Sequence, residues 1–313
     1  MTTGLFSHDV FHRHVTPPGH PERVERLEVV ASALSGDDFR LLRRFEAPRA
    51  DRDMLLAAHN EGLVDAILSA EIEEGDFARI DADTSMSHGS AEAALRAAGA
   101  VVRAVDAIMA GDIGNAFCAV RPPGHHAESA RAMGFCLFNN VAVGALHARR
   151  AHGLERIAVV DFDVHHGNGT QDIFYNDADL FYASTHQFPL YPGTGSRLER
   201  GVGGNIVNAP LPPGAGSEEF RAAFEEIVLP ALESFSPQFL LISAGFDAHA
   251  ADPLASLRLH EDDFAWATER LCETAARHCA RRVVSALEGG YDLHALASSA
   301  AAHVRVLIQR SEN

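Results

Sequence analysis

Apolar residues fall along the chain in short unbroken runs separated by longer stretches of helical periodicity. Five runs read as strands: "NAFCAV" (115–120), "IAVVDF" (157–162), "LFYAS" (180–184), "FLLISA" (239–244) and "VVSALE" (283–288). They are continuously apolar rather than alternating, as strands covered on both faces are. Between them, Leu95, Ala98, Val102, Val105 and Met109 recur at helical spacing in 90–110, with Ser90 placed as a cap. Phe220, Phe224, Ile227 and Ala231 repeat through 217–235, where Pro230 predicts a kink. Leu296, Ala300, Val304 and Leu307 follow a candidate cap, Asp292, in a helix over 292–309. Alternating strands and helices predict an α/β fold: a central parallel β-sheet flanked by helices, with residues 1–313 forming one domain.

The polar residues qualify this picture at one place in each unit. "NAFCAV" is followed by "RPPGHHAE", with His125 and His126, and "IAVV" by Asp161, Asp163, His165, His166 and Asn168. "FLLISA" leads into "GFDAHAADP" with Asp247, and "VVSAL" into "EGGYD" with Tyr291. Sites in open parallel sheets form beyond the carboxyl ends of the strands, so four strands deliver ionisable groups to one rim. Asp163 and His165 are two apart, which in extended chain points both side chains the same way. With Asp247 they make two carboxylates and one imidazole, leaving a position open, the pattern of a catalytic zinc site. The competing reading is a metal-free hydrogen-bonded network, which would have to bury unpaired charge. His125 and His126 can separate in function if Asp161 keeps one cationic and the amide of Asn168 leaves the other neutral and able to act as a base. A Tyr291 phenol could donate to an oxyanion; taken alone it could equally be a packing residue.

Composition narrows the function further. A net charge of −17 argues against general nucleic-acid binding and favours cationic substrates. No apolar run is long enough to span a bilayer, and "MTTGLFSHDVFHRH" lacks the basic leader and apolar core of a secretory signal. Cys118, Cys136, Cys272 and Cys279 form no C-x-x-C pair, which fits a reducing, cytoplasmic setting. The chain has no lysine, so lysine base or Schiff-base chemistry is excluded. A homo-oligomer is compatible with the pattern and not required by it.

The blocks "RPPGHHA", "MGFCLFNN", "DFDVHHGNGTQDIFY", "SAGFDAHAADPL" and "LEGGYDL" resemble the zinc-dependent histone deacetylase family. "TPPGHPERVERL" and "HHGNG" resemble its class II branch, including bacterial histone deacetylase-like amidohydrolases. The resemblance implies an arginase–deacetylase fold around one Zn2+ held by Asp163, His165 and Asp247. It implies His126 as general base and acid, His125 as electrostatic partner, Asp161 orienting His125, Asn168 behind His126, and Tyr291 polarising the acyl carbonyl. It assigns Phe135 and Tyr191 to the walls of an acyl-lysine tunnel, Gly134 to its backbone lining and Arg23 to an internal product channel. Tyr191 stands where the family usually has Phe. It also implies structural potassium at Asp161, Asp163, His165, Ser184 and Thr185, and a second site at Phe174, Asp177 and Leu180.

The expected reaction is hydrolysis of acetyl or other acyl groups from the ε-amino group of acyl-lysine in proteins or peptides. The alternative substrate is an acetylated polyamine. Polyamine-selective relatives carry Glu seven residues after the metal aspartate; this chain has Leu254, which favours acyl-lysine. The acidic "EIEEGD" (71–76) could reach the rim or be a solvated face. A non-catalytic binder should have lost Tyr291 or a ligand, and neither is lost. An arginase-like dimetal enzyme would need a second ligand set, toward which His249 is the only candidate in its loop.

Overall fold

Residues 2–312 are described by a computed structural model. The five predicted runs become strands because β-branched and aromatic side chains in them find cover on both sides. In chain order the strands are β1 (Thr3–Ser7), β2 (Arg43–Glu46), β3 (Ala78–Arg79), β4 (Ser85–Met86), β5 (Asn115–Cys118), β6 (Ile157–Asp161), β7 (Leu180–Gln187), β8 (Ile206–Leu211), β9 (Phe239–Ala244) and β10 (Val283–Leu287). All but β3 and β4, which form a small antiparallel pair, join one parallel sheet in the order β2-β1-β5-β10-β9-β6-β7-β8. The α/β reading is therefore correct, with three sheet strands beyond those predicted.

Of the helices, α1 (Glu25–Ala33), α2 (Arg52–Leu55) and α3 (Glu61–Leu68) precede the long α4 (Ser90–Met109). They are followed by α5 (Asn140–His152), α6 (Asn168–Phe174), α7 (Ser217–Ala223), α8 (Leu229–Phe235), α9 (Glu261–His278) and α10 (Leu293–Glu312). The pair α4 and α5 packs on one face of the sheet, and α1, α10 and α9 pack on the other. Strands β5, β6, β9 and β10 are buried at every residue, so the centre of the sheet is the centre of the core.

Two predicted helix ends differ from expectation. Ser90 does not cap α4: its hydroxyl accepts from Ser87 N–H and bonds His14 Nδ1, each at 2.7 Å, and Gly89 occupies the cap position. The predicted 217–235 helix is interrupted by a π-helical turn at Phe224–Val228 before Pro230. Pro230 has no N–H and its ring crowds the preceding turn, which widens there instead of ending. Asp292 does cap α10, its carboxylate accepting from Ala295 N–H at 2.8 Å.

The strands that carry chemistry, β5, β10, β9 and β6, are consecutive neighbours in the sheet. Parallel pairing aligns their carboxyl ends, so the four polar loops open on one rim. That alignment brings together residues separated by more than a hundred positions in sequence.

Candidate active site

The loop after β6 places Asp163 and His165 against Asp247 from the loop after β9. His165 Nδ1 lies 3.1 Å from Asp163 Oδ1 and 3.0 Å from Asp247 Oδ2, and all three side chains are buried. Burial alone would lower the His165 pKa, but its bonds to Asp163 and Asp247 push it up to about 10. Asp247 is pushed up to about 7 by burial and by the negative charge of Asp163. Two buried carboxylates converging on one imidazole form a donor set that suits a small divalent cation: N and O ligands, three of them, with room for a fourth. The residues fit such an ion. Backbone packs tightly around them: Gly289 N–H donates to Asp163 Oδ2 at 2.8 Å, and a Cβ on Gly289 would lie 2.1 Å from Asp247 Oδ2.

The tandem imidazoles occupy different environments. His125 Nδ1 bonds Asp161 Oδ2 at 3.0 Å, and its Nε2 is 3.8 Å from Asp163. Burial would lower its pKa, yet the charges of Asp163 and Asp161 raise it to about 10, so His125 is cationic. His126 Nδ1 bonds Asn168 Oδ1 at 2.8 Å. Burial, then repulsion from His125 and His165, holds its pKa well below the usual imidazole range, so His126 is neutral. The rings stack with centroids 4.0 Å apart. Two adjacent histidines thus carry opposite protonation states, a division of roles set by environment.

Tyr291, beyond β10, is buried, and burial together with the nearby Asp247 and Asp163 raises its pKa well above the ordinary phenol value. It therefore remains a proton donor at neutral pH. Its ring meets Phe135 edge-on at 5.9 Å and carries the Arg26 guanidinium 4.9 Å from its centroid. Asp252 fixes this segment by accepting from Tyr291 N–H at 2.7 Å and Leu254 N–H at 3.0 Å.

Phe135 stands at the tip of a tight turn. Met133 and Cys136 exchange backbone hydrogen bonds, and the central pair, Gly134 and Phe135, has φ of 56° and 68°. Positive φ at both central positions is the requirement of a type I′ turn. A Cβ on Gly134 would lie 2.5 Å from His126 Cδ2, so a side chain there would displace the imidazole. Tyr191 packs edge-on to His126 at 5.2 Å and lies 6.3 Å from His165. Leu254 and Tyr291 share a cavity of about 530 Å³ with the 15–25 loop.

Several expectations change. Arg23 is exposed and lines the outside of that cavity; it is not in an internal channel. The buried arginine is Arg26, three residues later, in the first turn of α1. It donates to Gly290 O at 2.6 Å, Glu288 O at 2.5 Å and Glu22 at 3.0 Å. The carbonyls of Phe174, Asp177 and Leu180 do converge, but onto Asn205 Nδ2, at 2.9, 3.0 and 2.8 Å. An NH2 group has only two hydrogens for these three carbonyls, so Asn205 cannot satisfy all of them. The first set does come together, with Asp161 paired opposite Ser184 in the β6–β7 register and Thr185 next along the strand. His249 does not join the triad: its Nδ1 accepts from Ala251 N–H and its Nε2 lies 3.7 Å from Glu261. Glu74 and Asp76 line a different groove, with His12, Arg13 and His88.

Sequence reasoning also missed two buried acids. Glu288 accepts from Gly124 N–H at 2.6 Å and His125 N–H at 3.1 Å, fixing the "PPGHH" turn, and burial raises its pKa to about 7. Glu22 accepts from Arg121 Nε and Nη2 at 2.5 and 2.7 Å as well as from Arg26. The clue for Glu288 was its place directly after the apolar run of β10; Glu22, between Pro21 and Arg23, carried none.

Comparison with known proteins agrees with this geometry. The Histone deacetylase domain matches residues 20–307. The chain belongs to the histone deacetylase family. It is 42% identical to a "Probable deacetylase" of Archaeoglobus fulgidus, over 94% of this chain and 82% of that one. It is 42% identical to the "Histone deacetylase-like amidohydrolase" of Pseudomonas aeruginosa, over 88% and 74%. The crystal structure of the HDA15 HD domain superposes with a TM-score of 0.92 at 36% identity, covering 98% of this chain and 88% of that one. The fold is thus that of a histone deacetylase domain, and the protein is a hydrolytic enzyme of the deacetylase type. Among the described residues no helix is long and apolar enough to cross a membrane.

Proposed function

We propose that this enzyme removes acetyl or other acyl groups from the ε-amino group of acyl-lysine in proteins or peptides, with zinc held by Asp163, His165 and Asp247. The observation that carries the reading is the convergence of Asp163, His165 and Asp247 beside His126, whose Nδ1 is bonded to Asn168 Oδ1, with the buried Tyr291 at the same rim. When bound, zinc would polarise the acyl carbonyl and an adjacent water. His126 Nε2 takes the water proton, for which its lone pair is free when Nδ1 holds the hydrogen bonded to Asn168. The Tyr291 hydroxyl donates to the oxygen that gains negative charge. His125, held cationic by Asp163 and Asp161, stabilises that charge without taking part in proton transfer. His126 then returns its proton to the leaving amine, and carboxylate and free amine depart.

Phe135 and Tyr191 supply apolar walls suited to an alkyl chain between a peptide and the reacting amide. Leu254, half-buried at the cavity in front of Tyr291, supports acyl-lysine over an acetylated polyamine, whose second ammonium would gain from an acid there. Asn168 behind His126 supports a class II-like enzyme. Potassium at the Asp161–Ser184 position would be structural. The relatives from rice and Arabidopsis are named chloroplastic; for this chain we infer the cytoplasm from its four free, buried cysteines.

The test is an assay of zinc-loaded protein on acetyl-lysine peptides, longer acyl-lysine peptides and acetylated polyamines. Cleavage of the peptides, lost on chelation and restored by zinc, is the expected result. Faster turnover of the polyamines would replace the substrate assignment, and an unchanged rate after chelation would refute the metal assignment.

A further inference from the structure

We infer that Glu128 is a positioning residue that selects the working tautomer of His126 by fixing which way the Asn168 amide points; this rests on the reading above of His126 as base. Asn168 has two faces of opposite hydrogen-bonding character. Its Oδ1 accepts from His126 Nδ1 at 2.8 Å, and its Nδ2 donates to Glu128 Oε1 at 2.7 Å and to Met133 Sδ at 3.3 Å. With Oδ1 facing the ring, Nδ1 must carry the hydrogen and Nε2 keeps its lone pair. Among the described residues Nε2 has no hydrogen-bond partner, so that lone pair is free for a water.

The opposite amide orientation has nearly the same shape and the reverse outcome. An NH2 aimed at His126 Nδ1 would draw the ring proton to Nε2, and the imidazole could not accept a proton there. Nothing in Asn168 itself prefers one orientation. Glu128 decides it: a carboxylate 2.7 Å from the amide accepts from NH2 and repels a carbonyl oxygen. Met133 sulfur, an acceptor with no hydrogen of its own to give, favours the same orientation. Glu128 is itself held, its N–H bonded to Arg131 O at 2.9 Å and its carbonyl to His59 Nδ1 at 2.9 Å. Arg131 Nη2 lies 3.3 Å from its Oε2.

An aspartate at 168 would need no such lock, because both its oxygens are acceptors. It would instead set a second carboxylate beside Glu128. The two positions should therefore be dependent in a specific way, each single change harmful and the pair compensating.

The experiment compares the unmodified enzyme with Glu128→Ala, Asn168→Asp and the double variant, measuring kcat, KM, zinc content and the 15N imidazole spectrum. The spectrum assigns the ring proton of His126 without reference to turnover. Expected for Glu128→Ala is a fall in kcat of roughly tenfold to a hundredfold, with KM and zinc content unchanged and His126 shifted towards protonation on Nε2. Asn168→Asp alone should also lose activity, and the double variant should recover most of both the rate and the Nδ1–H signature. A Glu128→Ala enzyme with unchanged tautomer, or a double variant no better than either single, would overturn the inference. If the unmodified enzyme cleaves no acyl amide, the functional reading fails, while the imidazole spectra still decide whether Glu128 sets the tautomer.

Discussion

Replacing Gly134 with alanine adds one carbon where the 133–136 turn presses on His126, the base in the proposed reaction. The added Cβ would sit 2.5 Å from Cδ2 and 2.7 Å from Cγ of His126, against an ordinary contact of at least 3.4 Å. Relief requires a shift of about 0.9 Å between turn and ring. The ring cannot take it up without stretching its 2.8 Å bond to Asn168 beyond hydrogen-bonding reach. A misplacement of about 1 Å at a reacting group costs on the order of a hundredfold in rate. Independently, φ of 56° at position 134 strains any residue with a Cβ, by about 1–2 kcal/mol. In a chain of 313 residues that is a fall in Tm of roughly 1.5–3 °C. The expected result for Gly134→Ala is thus a folded enzyme with zinc bound, kcat down about a hundredfold and melting modestly lowered. Steady-state kinetics on an acetyl-lysine peptide, with a thermal melt and metal analysis, measure all three. A kcat within about threefold of the parent would refute the claim that the turn is pressed against the base, because a shift that small could not leave the His126–Asn168 bond disturbed.

Tyr291→Phe removes only a hydroxyl from a ring that Arg26 and Phe135 hold in place, so kcat should fall about 10²- to 10³-fold with KM and zinc content preserved; near-full turnover would remove Tyr291 from the chemistry. Glu22→Gln leaves Arg26 and Arg121 buried without a counter-ion and should destabilise the fold by about 3–5 kcal/mol in urea titration; an unchanged midpoint would mean that the cluster carries little of the stability. His303, buried between Thr268 and Ser285, has its pKa lowered by burial from 6.5 to about 3. The unfolded chain takes up that proton first as pH falls, so the stability from a neutral His303 is complete above pH 6.5 and is lost as pH drops towards about 3. His303→Gln should lessen the slope of stability against pH in that window by up to about 1.4 kcal/mol per unit, and an identical slope would show that the imidazole is protonated in the native state.

The centre of the sheet was legible because strands buried on both faces write an unbroken apolar run. Its edges were not. β2 ("RRFE") is largely exposed and carries two arginines, and β8 ("NIVNAPL" region) contains Pro210, whose missing N–H an edge strand tolerates. β1 is short and gave no long run to recognise, although every residue but one is buried. The same division holds at the site. The candidate ligands and histidines at the strand ends were legible from their place after apolar runs, and the structure brings Asp163, His165 and Asp247 together. Residues that hold those groups in place, among them Arg26, Glu22 and Glu288, lie on other segments and act through pairing that only the folded chain creates. Arg23 and Arg26 illustrate the limit. Both fall in one short motif, but Arg23 precedes α1 and faces solvent, whereas Arg26 lies in its first turn and is buried behind Tyr291.

That buried layer also explains how one rim keeps a base neutral among so many charges. Four carboxylates, Asp161, Asp163, Asp247 and Glu288, surround two imidazoles that are each tied to a carboxylate, His125 and His165. His126 is tied to an amide, Asn168, rather than to a carboxylate, and the neighbouring imidazoles oppose its protonation. His125 has Asp161 on its Nδ1 and Asp163 near its Nε2, whereas His126 has only the Asn168 amide on its Nδ1. The order of roles in "GHH" therefore follows from which loop residue each ring meets, Asp161 at the end of β6 or Asn168 at the start of α6. Neither imidazole has an intrinsic preference: the residues that the β6–α6 loop sets beside each ring distinguish them.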